Sequence, residues 1–400
     1  MKNQRKAILF LLGIVLLFSI SCRKKKVEIT YHIGIVSAEN TLTSDSFLGV
    51  RELIARYGAA GEGGIIRHIT YPDDFTERRN QMISAIIALG DDPLMKAIIM
   101  NQAVPGTIEA FRVIHERRPD IMLFACEPHE DMAEIEDASA LVVSVDFISR
   151  GFLLPWAAKK MGADTFVHIS FPRHMASASL GRRRRIIEEA CKDLGLRFVY
   201  IEVPDPASDV GAARTLQYIS DNTRRWVEQY GQNAVFYCTN DAQTVPLLRQ
   251  LFLTGGMFVE ADIPSPLDGY PAALGIDLSN ETGNWEEILK RIETAVISRG
   301  GGGRFGTWQY AFGYVLSAGV GEFAKRVIEK KANLYSAVDF FAALSTFTPD
   351  SKWNGIHYTD PLTDLEVDNH FLVYMDTYIF GLGSLRTTEQ IVPQKYFEIK

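Results

Sequence analysis

The sequence predicts an α/β protein built from two doubly wound parallel-sheet lobes that are joined by a hinge. Short apolar runs alternate with amphipathic stretches of helical period from residue 29 onwards, which is the pattern of parallel sheets covered by helices on both faces. The alternation starts afresh after residue 146, and a chain of 400 residues suits two cores better than one. No repeat of about 20–50 residues indicates a solenoid instead.

The first lobe is predicted to contain five strands and three helices. Its strand segments are short and apolar, whereas residues 45–57 place Leu48, Val50, Leu53 and Ile54 at the spacing of one helix face. The predicted strands are 29–36, 65–70, 96–100, 121–126 and 140–145, and the predicted helices are 45–57, 76–89 and 106–117.

The same alternation then restarts and predicts a second parallel sheet. Its strands are again short apolar runs, such as residues 234–238 (AVFYC), with longer amphipathic segments between them. The predicted strands are 165–169, 198–202, 234–238 and 273–276, and the predicted helices are 147–160, 181–194, 212–230, 245–254, 285–298 and 312–329.

The N-terminal segment predicts export and a lipid anchor. A short basic stretch precedes an apolar run over residues 7–20, and Cys22 follows, which is the order of a secretory signal. The segment resembles a bacterial lipoprotein signal, although Ser19 stands where Leu is usual. The resemblance implies a signal peptide of residues 1–21, lipidation of Cys22, and a tether over residues 22–28.

Two alternatives to lipidation remain at this point, an ordinary cleaved signal with an incidental Cys and an uncleaved anchor. With each of them the remainder of the chain is expected outside the cytoplasm. The favoured location is the cell envelope, with the protein held by its N-terminal lipid on the extracytoplasmic side of a membrane.

Composition and charge exclude several classes of function. The net charge of −7 and the isoelectric point near 5.7 argue against a nucleic-acid partner, which needs a basic surface. After the signal, no apolar run approaches the roughly 20 residues that cross a bilayer. Cys126, Cys191 and Cys238 are too few and too widely spaced for a disulfide framework, and Cys126 and Cys238 are expected to be buried strand thiols. No metal site and no cofactor are predicted, since the eight His are scattered.

Five short phrases relate the sequence to a known class of protein. In chain order they are HIGIV at 32–36, Asp146 with Arg150-Gly151, NDA at 240–242 before Gly255-Gly256, GID at 275–277, and GTWQ at 306–309 before Gly313. Together they resemble type I periplasmic solute-binding proteins, the receptors of ABC importers and of some sensory systems. The resemblance runs from about Tyr31 to Lys331.

The resemblance implies where the lobes begin and end. The N-terminal lobe is expected to comprise residues 29–146 plus about 308–345, and the C-terminal lobe residues 147–307. Residues from about 346 to 400 are expected to form an extra region with a third hinge crossing. Because the chain after about Leu334 exceeds the family pattern, this part is interpreted as a lineage-specific elaboration.

Candidate ligand-binding residues follow the predicted strands, at the sheet edges where open parallel sheets bind ligands. Asp241 and Asp277 are the central ones, because two separate phrases place them at strand ends and each carboxylate can accept hydrogen bonds from a polyol or a ribose. The full set is Glu39, Asn40, Asn101, Gln102, Glu127, Asp146, Arg150, Phe171, His174, Asn240, Asp241, Asp277, Trp308 and Gln309.

Several of these residues also have structural explanations. An ion pair between Asp146 and Arg150 within the hinge, and packing of Trp308 against the hinge, are the alternatives to ligand contact. Ser44 or Asp45 fits the cap of the first helix. The run of four Arg that begins at Arg182 is interpreted as a solvated helix face rather than a phosphate clamp.

These observations favour a monomeric, lipid-anchored substrate-binding protein that captures a small polar solute for the permease of an ABC importer. A ligand sensor that docks on a membrane receptor is the alternative, since it would use the same cleft. An enzyme is not predicted, because the sequence lacks a G-x-S-x-G elbow and a Walker A loop. A hydrolase on the same fold is the least favoured reading.

The choice of ligand rests on a few side chains. A sugar or nucleoside is favoured, because carboxylates such as Asp241 together with Phe171 and Trp308 suit hydroxyl-rich, flat-faced ligands. Arg150 together with Glu39 would instead suit a zwitterionic amino acid.

Overall fold

Two parallel sheets form the centres of the two lobes in the structure, which is a computed structural model. The described residues are 29–38, 44–72, 74–208 and 211–400. The predicted signal peptide, Cys22 with its tether, and the candidates Glu39 and Asn40 lie outside them. The predicted fold class, two doubly wound parallel-sheet lobes joined by a hinge, is confirmed.

The first lobe alternates strand and helix from its first described residues. Its elements are β1 (His32–Ala38), α1 (Asp45–Tyr57), β2 (Ile66–Tyr71), α2 (Arg79–Gly90), β3 (Met95–Met100), α3 (Thr107–Arg117), β4 (Met122–Cys126), α4 (Met132–Ala138) and β5 (Leu141–Val145). The strands pair in parallel in the order β2-β1-β3-β4-β5, with Ile33 opposite Ile66. Because helices cover both faces, every residue of β5 is buried, as its apolar run predicts.

The second lobe repeats the arrangement with four parallel strands in the order β7-β6-β8-β9. Its elements are α5 (Phe147–Lys160), β6 (Thr165–Ser170), α6 (Pro172–Ala176), α7 (Ala178–Leu194), β7 (Arg197–Glu202), α8 (Gly211–Tyr230), β8 (Ala234–Cys238), α9 (Thr244–Thr254), β9 (Met257–Phe258), α10 (Tyr270–Leu274), α11 (Trp285–Ser298) and β10 (Gly306–Trp308).

The predicted strand at residues 273–276 is wrong. Those residues end helix α10, and the chain turns at Gly275, whose φ of 68° is left-handed and favours Gly. The fourth strand of the second sheet is β9, which follows the pair Gly255-Gly256 directly. With only two residues, β9 is too short to show a strand pattern in the sequence.

After β10 the chain returns to the first lobe and then crosses once more to the second. The elements are α12 (Phe312–Ile328), α13 (Ala337–Leu344), β11 (Trp353–Thr359), β12 (Glu366–Met375), β13 (Thr377–Ile379) and β14 (Gly383–Ser384). Strand β12 pairs in parallel with β5, and β11 pairs with β12 in antiparallel orientation, which extends the first sheet to seven strands. Strand β13 pairs with β10. The residues after Leu334 are therefore integral parts of both lobes rather than an appendage.

The end of the chain packs on helices α5 and α7 of the second lobe. Tyr396 stacks on Phe152 with ring centroids 5.1 Å apart, and Arg182 donates to the carbonyl oxygen of Ile399 at 2.6 Å. The interpretation of the four-Arg run as a solvated helix face is wrong for Arg182 and Arg183, because both side chains are buried. Four single-turn 3-10 segments complete the described structure: Ala60–Glu62, Asp241–Gln243, Thr387–Glu389 and Gln394–Tyr396.

Two predictions from composition can be compared with the structure. Cys126 and Cys238 are buried in strands, as predicted, and these two and the buried Cys191 are all free thiols. Within the described residues, none of the helices has both the length and the apolar character needed to cross a membrane.

The three crossings between the lobes meet around Arg150, near the start of α5. Its guanidinium binds Glu260 (Nε to Oε1, 2.9 Å) and donates to the carbonyl oxygens of Ala261 and Asp262 at 3.0 and 2.8 Å. Both charged side chains are only 2% exposed.

Residues of the other two crossings complete this cluster. Trp308, at the second crossing, presents its ring 5.7 Å from the guanidinium of Arg150. Thr377, at the third crossing, donates its hydroxyl to Oε2 of Glu260 at 3.0 Å. A single buried ion pair therefore contacts all three connections. The partner of Arg150 in the hinge is Glu260, so the alternative of an Asp146–Arg150 ion pair is wrong.

We expect Glu260→Gln to lower the free energy of unfolding by about 3 kcal/mol or more, because it leaves the buried guanidinium without a countercharge. Urea denaturation followed by circular dichroism measures the change. Glu109→Gln is the matched control, because Glu109 pairs with the exposed Arg79 at the surface, where ion pairs contribute about 1 kcal/mol or less. Equal losses for the two variants would contradict the structural role of the hinge pair.

Candidate functional site

A cavity of about 360 Å³ lies between the lobes, at the ends of the strands. Both lobes contribute to it, so it is an interlobe cleft. Its lining residues are Ser44, Asp45, Ser46, Asn101, Gln102, Glu127, Ile263, Leu267, Asp268, Gly313 and Leu316. The predicted candidates Asn101, Gln102 and Glu127 are among them.

The end of β3 supplies two amide side chains to the cleft. Asn101 donates through Nδ2 to the carbonyl oxygen of Gly313 at 2.7 Å and to Oγ of Ser317 at 2.8 Å, and so joins β3 to α12. Gln102 lies beside His129, with Nε2 atoms 3.2 Å apart. Asn101 is thus held at the cleft wall by two hydrogen bonds, whereas the side chain of Gln102 contacts His129 alone among the described residues.

Glu127 follows β4 in an unusual backbone conformation, since its φ of 42° is rarely adopted by residues other than Gly. Its carboxylate accepts a hydrogen bond from the backbone N–H of Val145. Burial raises the pKa of Glu127 to about 7, although that hydrogen bond opposes the shift.

Asp45 opens helix α1 and faces the opposite lobe. The cap expected of Ser44 does not form, because its hydroxyl makes no cap hydrogen bond and is buried without a partner. Burial raises the pKa of Asp45 to about 6, against the opposing effect of a hydrogen bond with Ser265 of the second lobe. Asp45 is therefore a cleft residue that contacts both lobes.

The second lobe contributes Asp241 and Asp268. The Oδ1 atom of Asp241 accepts from the backbone N–H of Ile263 at 3.2 Å, and the Oδ2 atom of Asp268 is buried with no hydrogen-bond partner. Burial, and then repulsion from Asp268 and Asp262, raises the pKa of Asp241. Burial and repulsion from Asp45 raise the pKa of Asp268 to about 7. Burial is the largest cause of both shifts, which persist although Arg150 lowers the pKa of Asp241 and a hydrogen bond with Thr244 lowers that of Asp268.

The two cations closest to this group are already paired. Arg150 binds Glu260 in the hinge, and Arg183 binds Asp262, which also accepts from the Tyr237 hydroxyl at 2.5 Å. In the described parts of the chain, the four cleft carboxylates form no ion pair; they are Asp45, Glu127, Asp241 and Asp268. The cleft can therefore accept hydrogen bonds and positive charge from a bound molecule.

Other predicted residues have structural roles. Asp146 caps helix α5 by accepting from the backbone N–H groups of Ile148 and Ser149 at 3.0 and 2.7 Å. Arg150 is saturated by its hinge partners, as described above. Trp308 is only 1% exposed and packs edge-on against Trp353, so it belongs to the hinge and does not face the cleft.

Three further candidates belong to the second lobe. Phe171 is fully buried, and His174 stacks on it with ring centroids 4.0 Å apart. The Nδ1 atom of His174 lies 3.1 Å from the hydroxyl of Thr239. Asn240 ends β8 next to Asp241, and its Oδ1 atom is buried without a partner. The buried ring of Phe171 therefore offers no free face to a ligand in the cleft.

The expectation that Asp277 lies at a strand end facing the cleft is wrong, because no strand forms there. Asp277 is exposed, and its Oδ1 atom accepts from the backbone N–H of Ser279 at 2.9 Å, which closes a local turn. The sequence phrase GID at 275–277 is therefore a turn after α10.

Gln309 lines a different cavity, of about 570 Å³, beside the second crossing. Its Oε1 atom accepts from the Ser351 hydroxyl at 3.1 Å. Trp285 and Tyr314 form one wall of this cavity, with ring centroids 4.8 Å apart, and Lys290 also lines it.

Asp268, Asp262 and Glu260 were not among the predicted residues. All three lie in the loop that follows β9. The sequence contained a signal for them, since Gly255-Gly256 is followed by the apolar run 257–259 and then by acidic residues. A strand that ends at Phe258 would have placed this loop at the ligand-binding edge of the sheet.

Comparisons with known proteins agree with the fold and leave the activity open. A family model described as "Protein of unknown function (DUF3798)" matches residues 31–306, and a second family model matches residues 317–399. An uncharacterized protein of Treponema pallidum (strain Nichols) is 45% identical over 185 residues, which are 46% of this chain and 83% of that protein.

Solved structures resemble this chain in their fold. A proposed transcriptional regulator from Clostridium difficile 630 has a TM-score of 0.75 at 20% identity, over 88% of this chain and 100% of its own. A periplasmic solute-binding protein of an ABC transporter from Actinobacillus succinogenes, with bound D-allose, has a TM-score of 0.46 at 14% identity, over 76% and 93% of the chains.

We expect Asp268→Asn to stabilise the empty protein, and to do so more at pH 8 than at pH 5. A carboxyl whose pKa is higher in the folded than in the unfolded chain lowers stability as the pH rises from about 4 to about 7. Since one pKa unit corresponds to about 1.4 kcal/mol, replacing it should gain on the order of 4 kcal/mol above pH 7 and about 1.5 kcal/mol at pH 5. Thermal unfolding at both pH values measures the difference.

Asp277→Asn is the control for this measurement, since it removes the same charge from an exposed turn and should change the melting temperature little at either pH. A gain from Asp268→Asn that is the same at both pH values would contradict the raised pKa.

Proposed function

We propose that this chain, which belongs to the family described as "Protein of unknown function (DUF3798)", is a lipid-anchored substrate-binding protein that captures a small polar solute between its lobes and delivers it to an ABC importer. The observation that carries the proposal is the cleft itself, in which carboxylates of both lobes face one cavity and form no ion pair with any described residue. Sites for small molecules have this character, a concave pocket with a few fixed polar groups.

The hinge supports the proposal, because it allows the lobes to move as bodies. Three short crossings connect them, and their charged contact, Arg150 with Glu260, lies at the pivot rather than in the cleft. A ligand that touches Asp45 of the first lobe and Asp268 of the second would stabilise the closed arrangement, as differential binding requires.

The polar lining also bears on the class of solute. Asn101, Gln102 and the cleft carboxylates supply acceptors and donors suited to a hydroxyl-rich molecule. Phe171 and Trp308 were expected to stack on a flat-faced ligand, but both rings are buried and cannot contact a ligand in the cleft. Arg150 and Glu39 together would have suited an amino acid, but Arg150 cannot bind such a ligand because its guanidinium is already hydrogen-bonded to Glu260, Ala261 and Asp262 in the hinge.

We expect Leu267→Trp to abolish ligand binding, because the larger ring fills a cavity of about 360 Å³ that Leu267 lines. Differential scanning fluorimetry against a panel of sugars, nucleosides, amino acids and amines measures binding, since a ligand of the folded state raises the melting temperature by mass action. Leu253→Trp, at an exposed position of the second lobe, should respond as the unsubstituted protein does. A panel and metabolite extracts that leave the melting temperature unchanged would overturn the proposal.

A second prediction concerns the anchor. If Cys22 carries the lipid, Cys22→Ser should move the mature protein from the membrane fraction to the soluble fraction, because several acyl chains give stable attachment. Immunoblots of fractionated cells measure the distribution, with Cys191→Ser as the control for a buried Cys. Membrane retention of Cys22→Ser after signal cleavage would assign the attachment to another part of the chain.

A further inference from the structure

We propose that the solute bound in the interlobe cleft is an organic cation, a small molecule that carries at least one protonated amine together with hydroxyl or amide groups. The inference rests on the proposed function, because it names the class of ligand for the same cleft. It goes beyond that function in stating which charge the ligand must bring.

The first step is the balance of charge around the cavity. Asp45, Glu127 and Asp268 line it, and among its described lining residues there is no Lys, Arg or His. Asp241 lies directly behind, where it accepts from the N–H of Ile263 and repels Asp268.

The second step is that the protein's own cations cannot supply the missing charge. The guanidinium of Arg150 donates to Glu260 and to two backbone carbonyls, and that of Arg183 binds Asp262. Rearranging either would leave Glu260 or Asp262 buried without its partner, which is strongly unfavourable. The four cleft carboxylates therefore compete for protons or for a positive group from outside.

The third step identifies a specific acceptor. Among the described residues the buried Oδ2 atom of Asp268 has no hydrogen-bond partner, while a hydrogen bond with Thr244 engages the same carboxylate, and Asp268 lines the cavity. The pKa values of Asp45, Glu127 and Asp268 are all raised by burial, which is the electrostatic sign of an incomplete site. An ammonium group between Asp45 and Asp268 would satisfy one carboxylate from each lobe and so favour closure.

The rest of the lining indicates an organic ligand. Ile263, Leu267 and Leu316 offer apolar contact, while Asn101 and Gln102 offer amide groups. A cavity of about 360 Å³ is at the small end of the range for organic ligands. The larger cavity beside Trp285 is acidic as well, since Glu52, Glu286, Glu293 and Asp350 line it together with Lys290, but it lies beside the second crossing and not at the ends of the strands.

The experiment uses the full mature protein and small-molecule extract of its native cells, separated by ion exchange into cationic, neutral and anionic fractions. Differential scanning fluorimetry is run with each fraction, and separately with CaCl₂, MgCl₂ and ZnCl₂ alone. We expect the cationic fraction to raise the melting temperature by several degrees. For the Asp268→Asn and Asp241→Asn variants, the same rise in melting temperature should require a concentration of that fraction about tenfold higher or more.

Glu286→Gln is the matched control, because it removes the same charge from the rim of the other cavity and should leave the response unchanged. A response to the neutral or anionic fraction alone would overturn the cationic ligand and leave the proposed function standing. A response to a metal salt that Asp268→Asn abolishes would also overturn it, in favour of a metal ion. No response to any fraction would overturn the proposed function together with this inference.

Discussion

The buried pair of Arg150 and Glu260 is the interaction on which the arrangement of the two lobes depends. Arg150 lies at the first crossing, its guanidinium faces Trp308 of the second, and Glu260 accepts a hydrogen bond from Thr377 of the third. A buried charge must be paired and hydrogen-bonded, so these groups leave the hinge little freedom to rearrange. By binding the carbonyl oxygens of Ala261 and Asp262, Arg150 also fixes the loop that leads to the cleft.

This constraint explains why the cleft is left with unbalanced acidic groups. Arg150 forms an ion pair with Glu260 at the pivot, and Arg183 forms one with Asp262. The carboxylates at the strand ends therefore form no ion pair with any described residue. Parallel strands place their carboxyl ends at one edge, and the hinge turns the two edges toward each other. Burial then raises the pKa values of Asp45 and Asp268, one from each lobe. In the proposed function, a cationic ligand between the lobes would relieve the repulsion between these two carboxylates.

The fold class could be predicted from the sequence, but only some residues of the candidate site could. Strands such as β5 can be recognised in the sequence because they are apolar runs. Asn101 and Glu127 could be predicted as residues of the site because each directly follows the end of a strand. Arg150 could not be assigned its role, because its partner lies 110 residues away and the pairing depends on the complete hinge. Asp268 was missed because β9, with two residues, gives no periodic signal. Asp277 was misplaced because a short phrase fits both a strand end and the turn after a helix.

A crystal structure of the mature protein with a ligand retained from its native source would test the central claim most directly. The account predicts one molecule in the interlobe cleft, with an amino nitrogen within hydrogen-bond distance of Asp268 and of Asp45, while Arg150 stays bound to Glu260. Two findings would contradict it: ligand density confined to the cavity beside Trp285, or a cleft closed by Arg150 or Arg183 turned toward the carboxylates.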